Sequence, residues 1–221
     1  MTIASRIDSI RQQLPDSVRL IAVTKQVSAE TLREAYSAGV RDFGESRIQE
    51  AADKQSQLQD LPDLNWHLIG HLQANKAAKA LELFQWIHSI DSLKLATRLD
   101  RIAGELSCSP QVCLQVKILP DPNKYGWSVP ELLADLRELN QCHHIKIQGL
   151  MTIPPLESNE EQILEVFNST RELADKIARQ NFPHIQMQQL SMGMSGDYHL
   201  AIQAGATMVR VGQTLLGSRR G

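Results

Sequence analysis

The chain has 221 residues, 42% of them hydrophobic and 22% charged, with a formal net charge of −2. That balance lacks the basic excess a general nucleic-acid or membrane-surface binder needs. No apolar run approaches the roughly 20 residues of a membrane span, and Arg6, Asp8 and Arg11 occupy the N-terminal stretch where a signal peptide would be apolar, so a cytoplasmic protein is expected.

Ile3, Ile7, Ile10 and Leu14 recur at helical spacing, and Pro15 and Asp16 end that opening helix. Val18 to Thr24 is a β-branched run that predicts a buried strand. Ser28 reads as an N-cap, and the helix through Thr31–Ala38 stops at Gly39. The unit then repeats. Strands are expected at Val40–Phe43, Asn65–Ile69, Trp86–Ile90, Val112–Leu119, Ile145–Leu150, Ile185–Leu190 and Thr207–Val211. Helices are expected at Ser46–Leu58, Leu72–Leu83, Ser92–Leu106, Pro130–Leu139, Glu157–Gln180 and Asp197–Ala204.

Strands alternating with helices pair in parallel through right-handed crossovers, and eight such units close into a barrel. The expected fold class is therefore α/β, a single-domain (β/α)8 TIM barrel over residues 1–221 with an extra N-terminal helix. A doubly wound open sheet competes, but no Gly-x-Gly-x-x-Gly follows the first strand.

In such a barrel the chemistry sits in the loops after the strands. There the chain carries Lys25, Glu45 and Ser46, His71, Ser89 and Asp91, Lys117, Met151 and Thr152, the Ser191–Gly196 segment, and Arg210 with Gly212. Lys25 ends an apolar run; desolvation would leave its amine neutral and able to form an imine with an aldehyde. By position alone the better fit is a lysine that ends a strand and reaches into water. Ser191–Gly196 offers glycines and hydroxyls ahead of a helix, an arrangement that binds phosphate in barrels, and the glycine turn after Arg210 adds to it. The bland alternative is a helix cap plus a tight turn.

Other features are expected to be structural. Cys108, Cys113 and Cys142 have no partner at metal-ligand spacing and suit buried reduced thiols. His67 and His71 stand four apart without the glutamate of a zinc-binding helix, and His143 and His144 precede a strand and are expected to face solvent.

Five segments in order resemble one family: Ala22–Lys25, Phe43–Glu50, Trp66–Lys76, Ser191–Ser195 and Val209–Gly212. The chain resembles the pyridoxal phosphate homeostasis protein family along nearly its whole length, most specifically in Trp66–Lys76 and Ser191–Ser195. The resemblance implies a fold-type III barrel akin to the N-terminal domain of alanine racemase, with Lys25 holding pyridoxal 5′-phosphate as a Schiff base. It implies that Ser191, Ser195, Gly212 and adjoining backbone take the phosphate and that Arg210 faces the pyridine nitrogen. Ser46, Met151, Met192, Gly193 and Gln213 complete the implied contacts. The family usually carries Asn at the positions of Ser46 and Lys117.

Three functions compete: a binding and delivery protein for the cofactor, an amino-acid racemase, and a Schiff-base aldolase acting through Lys25. Racemisation needs a base on each face of a planar intermediate, and the chain ends at Gly221 after the eighth unit, without the extra domain that supplies a tyrosine in alanine racemase. Its own tyrosines are Tyr36, Tyr125 and Tyr198, with Tyr36 inside a helix and Tyr198 on a helix surface. Arg210 has no role in an aldolase. The expectation is a non-catalytic homeostasis protein, monomeric, with pyridoxal phosphate and apo-enzymes that accept it as partners and no nucleic-acid or membrane partner.

Overall fold

The computed structural model describes residues 2–217; the outer residues of the expected 1–221 span lie outside the described residues. Eight parallel strands form the barrel wall: β1 (Arg19–Val23), β2 (Asp42–Glu45), β3 (Asn65–Leu68), β4 (Trp86–Ile90), β5 (Gln111–Lys117), then β7 (Lys146–Met151), β8 (Ile185–Met194) and β9 (Met208–Val211). The two-residue β6 (Trp127–Ser128) pairs with β5 alongside that wall. Each wall strand pairs with the next in sequence, β4 with β5 and β5 with β7, and β9 pairs with β1, which closes the cylinder.

The helices are α1 (Ile3–Arg11), α2 (Ala29–Ser37), α3 (Ile48–Gln57), α4 (Ala77–Leu83), α5 (Leu93–Glu105), α6 (Val129–Leu139), α7 (Glu160–Ala178), α8 (Tyr198–Gln203) and α9 (Gln213–Leu216). Ser28 and Ser92 cap α2 and α5 as their sequence position predicts, each hydroxyl accepting a backbone N–H of the first turn. Gly39 ends the α2 unit at φ 86°, a left-handed conformation that costs glycine little.

Strand side chains alternate between two faces. One set, including Phe43, Leu68, Ile87, Leu114 and Val209, packs under the helices in a large continuous core. The other set fills the lumen, where Ile21, Trp86, Cys113, Met151 and Met208 form a smaller separate cluster. The lumen is thus a packed interior with an open mouth at the strand C-termini.

Several boundaries differ from expectation. The strand predicted to stop at Leu190 runs on to Met194, because it goes on pairing with β9 at Ser191↔Met208 and Met194↔Arg210, with a register shift of one extra β8 residue between the two pairs. The helix predicted from Ser46 begins at Ile48, leaving Ser46 in the loop. Its backbone lies so close to Gly70 that a Cβ there would overlap the Ser46 carbonyl. The helix predicted at Leu72 opens instead as a 3-10 turn at Ala74–Lys76. Ser128 and Asn159 form capping boxes with Glu131 and Gln162 that set the starts of α6 and α7.

Candidate functional site

A cavity of about 300 Å³ opens at the C-terminal mouth of the barrel. Lys25 enters it from the end of β1, Ser46 from the loop after β2, and Arg210 from β9. Ser195 and Gly196 follow β8, and Gly212 and Gln213 follow β9. Val23, Ile69, Ile153 and Met194 supply apolar walls. The amine, the guanidinium and two small-residue turns therefore meet in one concave space, although they come from distant parts of the sequence.

Six residues expected at the site line this cavity: Lys25, Ser46, Ser195, Arg210, Gly212 and Gln213. The other four lie beneath or behind it. Met151 is packed in the lumen cluster and Met192 in the core under the helices. Gly193 is buried at φ 91°, and a Cβ there would press on Ala201 and the Tyr198 backbone. Ser191 is fully buried one layer below, where it holds Arg210. For Ser191, Met192 and Gly193 the reason is the extension of β8, which commits them to the barrel wall, and Met151 is the last residue of β7 with its side chain in the lumen. Nor is the cradle a helix N-terminus: α8 has six residues, and the Met194 N–H ahead of it donates to Asp197 Oδ1 at 2.5 Å. What remains for an anion is the Ser195–Gly196 turn facing the Gly212 turn, linked where the Gly212 N–H donates to Ser195 Oγ at 3.2 Å.

Below the cavity a chain of hydrogen bonds crosses the lumen. Arg210 Nη1 donates to the Ser191 carbonyl at 2.7 Å and to Ser191 Oγ at 2.6 Å, and Nη2 donates to the Thr152 carbonyl at 3.1 Å. Ser191 Oγ lies 2.7 Å from His88 Nδ1, His88 Nε2 lies 2.9 Å from His67 Nδ1, and His67 Nε2 lies 2.9 Å from Asp42 Oδ1. The two ends fix its direction. A guanidinium can only donate and a carboxylate can only accept. The Ser191 hydroxyl therefore donates to His88 Nδ1, His88 Nε2–H to His67 Nδ1, and His67 Nε2–H to Asp42. Both rings are neutral, since burial pushes both imidazoles below their ordinary range and His88 well below it. Burial also lowers the Arg210 guanidinium to about 10, with Asp197 acting in the opposite sense, so it remains a cation at neutral pH.

The sequence did carry a signal for this chain. With period 2, His67 shares a face with the cavity-lining Ile69, and His88 shares one with Trp86 of the lumen cluster. Their spacing in sequence, 21 residues, hides the contact.

The remaining strand-end residues do not all reach the mouth. Glu45 turns outward and is fully buried against α3, where Lys54 bonds it at 2.7 Å. His71 stacks on Tyr125 and pairs with Asp91 at 3.0 Å, far removed in role from the lumen-bound His67. Ser89 donates to the Gly70 carbonyl. His143 and His144 are exposed, as expected. Cys113 and Cys142 are buried free thiols, with Cys113 raised to about 12 by burial, whereas Cys108 is only half-buried. Among the described residues no group of three or more His, Cys, Asp or Glu could hold a metal ion, and no helix is long and apolar enough to cross a membrane.

The wall is a closed parallel barrel with Lys25 following its first strand and Arg210 on its last, and comparison with known proteins gives the class to which such a barrel belongs. The sequence pattern of the alanine racemase N-terminal domain matches residues 1–220. Alanine racemase of Clostridium difficile superposes with a TM-score of 0.79 at 17% identity, over 96% of this chain and 58% of that one, a likeness of fold. Much nearer is PipY of Synechococcus elongatus, solved with pyridoxal phosphate bound: TM-score 0.94, 53% identity, 98% of this chain and 100% of that chain. The pyridoxal phosphate homeostasis protein of Synechocystis sp. is 51% identical over 93% of this chain and 94% of its own length. That of Escherichia coli K12 is 39% identical over 93% and 87%. The chain belongs to the pyridoxal phosphate homeostasis protein family.

Proposed function

We propose that this chain binds pyridoxal 5′-phosphate in the mouth cavity as a Schiff base on Lys25 and serves the cell's balance of that cofactor without substantial turnover. The observation that carries this reading is the convergence of Lys25, Arg210 and the Ser195 and Gly212 turns on one cavity. The donor set suits the group. When bound, pyridoxal phosphate supplies an aldehyde that condenses with a primary amine and releases water. The Lys25 amine is the partner for that aldehyde, and Ser195 Oγ with the backbone around Gly196 and Gly212 takes the phosphate. Gln213 and Ser46 border the same space.

Arg210 faces the ring nitrogen. Three of its five N–H donors are committed to Ser191 and Thr152, which leaves the others for the ligand. A permanent cation cannot protonate a pyridine nitrogen well, so the ring stays a weak electron sink. Among the described residues the cavity lining carries no tyrosine, histidine, cysteine or carboxylate that could act as a second proton carrier beside Lys25. Tyr36 OH bonds Asp63, Tyr198 OH bonds Gln13, and Tyr125 stacks on His71. These features favour a carrier that passes cofactor to apo-enzymes over a racemase, and we read that carrier as monomeric and cytoplasmic.

Two measurements test the reading. The protein incubated with pyridoxal phosphate should absorb in the visible, and borohydride should fix the label on Lys25; an adduct mapped to Lys117 instead would overturn the assignment. Deuterium exchange at the Cα of alanine should run no faster than with free pyridoxal phosphate. Exchange at ordinary enzyme rates, abolished by Lys25→Ala, would establish racemase chemistry.

A further inference from the structure

Lys25 occupies the second position of a tight turn, Thr24–Val27, closed by the Val27 N–H donating to the Thr24 carbonyl at 3.0 Å. Gln26 stands third, at φ 61°, a left-handed conformation that this kind of turn usually reserves for Gly or Asn. A turn of these residues would relax by flipping the peptide between Lys25 and Gln26, which would re-aim the Lys25 side chain. Two charged side chains from one turn of α3 oppose that flip. Glu50 Oε1 accepts the Gln26 N–H at 2.5 Å, on the very peptide that would rotate. Lys54 Nζ donates to the Thr24 carbonyl at 2.6 Å, on the peptide that precedes Lys25. The two peptide planes flanking the Lys25 Cα, and hence its φ and ψ, are both held.

The clamp is itself braced. Glu50 and Lys54 pair at 2.7 Å as i and i+4 residues. Lys54 also donates to Glu45 Oε1 at 2.7 Å, which accepts the Thr24 hydroxyl at 2.6 Å. Lys54 and Glu45 are buried, and Glu45 Oε2 has no hydrogen-bond partner among the described residues. An apolar filling of this layer would generally be at least as stable as buried charges. Packing alone therefore does not account for the group, whereas its contacts on either side of Lys25 do.

We propose that Glu50 and Lys54 are positioning residues for Lys25: together they hold the Thr24–Val27 turn in the one peptide orientation that delivers the amine into the cavity. This rests on the reading of Lys25 as the residue that carries pyridoxal phosphate. The test compares pyridoxal phosphate with pyridoxine 5′-phosphate, which offers the same ring and phosphate but no aldehyde, in the wild type, Glu50→Ala, Glu50→Gln and Lys54→Met. Glu50→Ala should slow covalent loading by pyridoxal phosphate roughly tenfold or more, the size of one lost charge-assisted bond, while pyridoxine phosphate affinity changes little. In the ligand-free protein the Gln26 amide should exchange at least about tenfold faster, and Glu50→Gln should recover part of both effects. Lys54→Met removes a buried charge; if it unfolds the chain, Glu50→Ala, partly exposed on α3, still decides the question. Equal weakening of both ligands, or unchanged Gln26 exchange in Glu50→Ala, would overturn the positioning role. Borohydride mapping of the wild type separates the two layers: an adduct away from Lys25 overturns both readings, and an adduct on Lys25 with unchanged loading in Glu50→Ala overturns this one alone.

Discussion

Ser191→Ala removes the one oxygen that joins Arg210 to the histidine chain. In the structure that oxygen accepts from Arg210 Nη1 at 2.6 Å and lies 2.7 Å from His88 Nδ1. Arg210 keeps the Ser191 carbonyl through the same nitrogen, so its loss is partial. His88 Nδ1 is fully buried and is left as an unpaired acceptor. An orphaned buried acceptor costs about 1–3 kcal/mol and a bond to a charged group about 1.5–3 kcal/mol, so a loss of about 2–4 kcal/mol is expected. For a domain of this size that lowers the unfolding midpoint by about 4–16 °C. Urea titration should show a lower midpoint concentration with an unchanged slope, which marks a change in stability rather than in compactness. Combining the variant with His88→Leu should be less than additive by about 0.5–3 kcal/mol, since the acceptor is then gone already. Nitrogen NMR should find His88 and His67 protonated on Nε2. Additive costs in the double variant, or a proton on His88 Nδ1, would refute the direction assigned to the chain.

The buried neutral rings also set a pH dependence. Because folding lowers the pKa of His67 and His88, the unfolded chain binds more protons below about pH 6.5, and stability should fall as pH drops through that value, by up to about 1.4 kcal/mol per pH unit for each ring. Unfolding titrations between pH 7.5 and 5.5, repeated in His88→Leu, would check it; an equal slope in the variant would remove His88 from the account. At the cavity rim, Ser195→Ala should reduce pyridoxal phosphate affinity by about one to two orders of magnitude, as for one charge-assisted bond. Binding of unphosphorylated pyridoxal should change little in the same titration, and equal losses for both ligands would make the turn a structural feature only.

Periodicity and punctuation determined the architecture. Alternating apolar strands and amphipathic helices, with Ser28, Ser92 and Gly39 at their ends, specify a parallel barrel because local propensity, capping and burial agree at nearly every unit. The strand-end rule then placed Lys25, Ser46, Ser195, Arg210 and Gly212 around one mouth, the family resemblance added Gln213, and all six line the cavity. Composition could not show how far β8 runs. Ser191–Met194 has the small and flexible residues of a loop, yet pairing with β9 draws it into the wall, where Ser191 becomes a support for Arg210. Two further facts belong to tertiary structure alone. The Asp42–His67–His88–Ser191–Arg210 chain joins five strands across the lumen, and strand parity hints at its faces but not at which atoms meet. Glu45 is one residue from the mouth-lining Ser46, and the pleat sends it to the opposite side of the wall, against Lys54. Sequence fixes which residues share a face; only closure of the barrel decides which faces meet, because that depends on register and on the helices packed behind the strands.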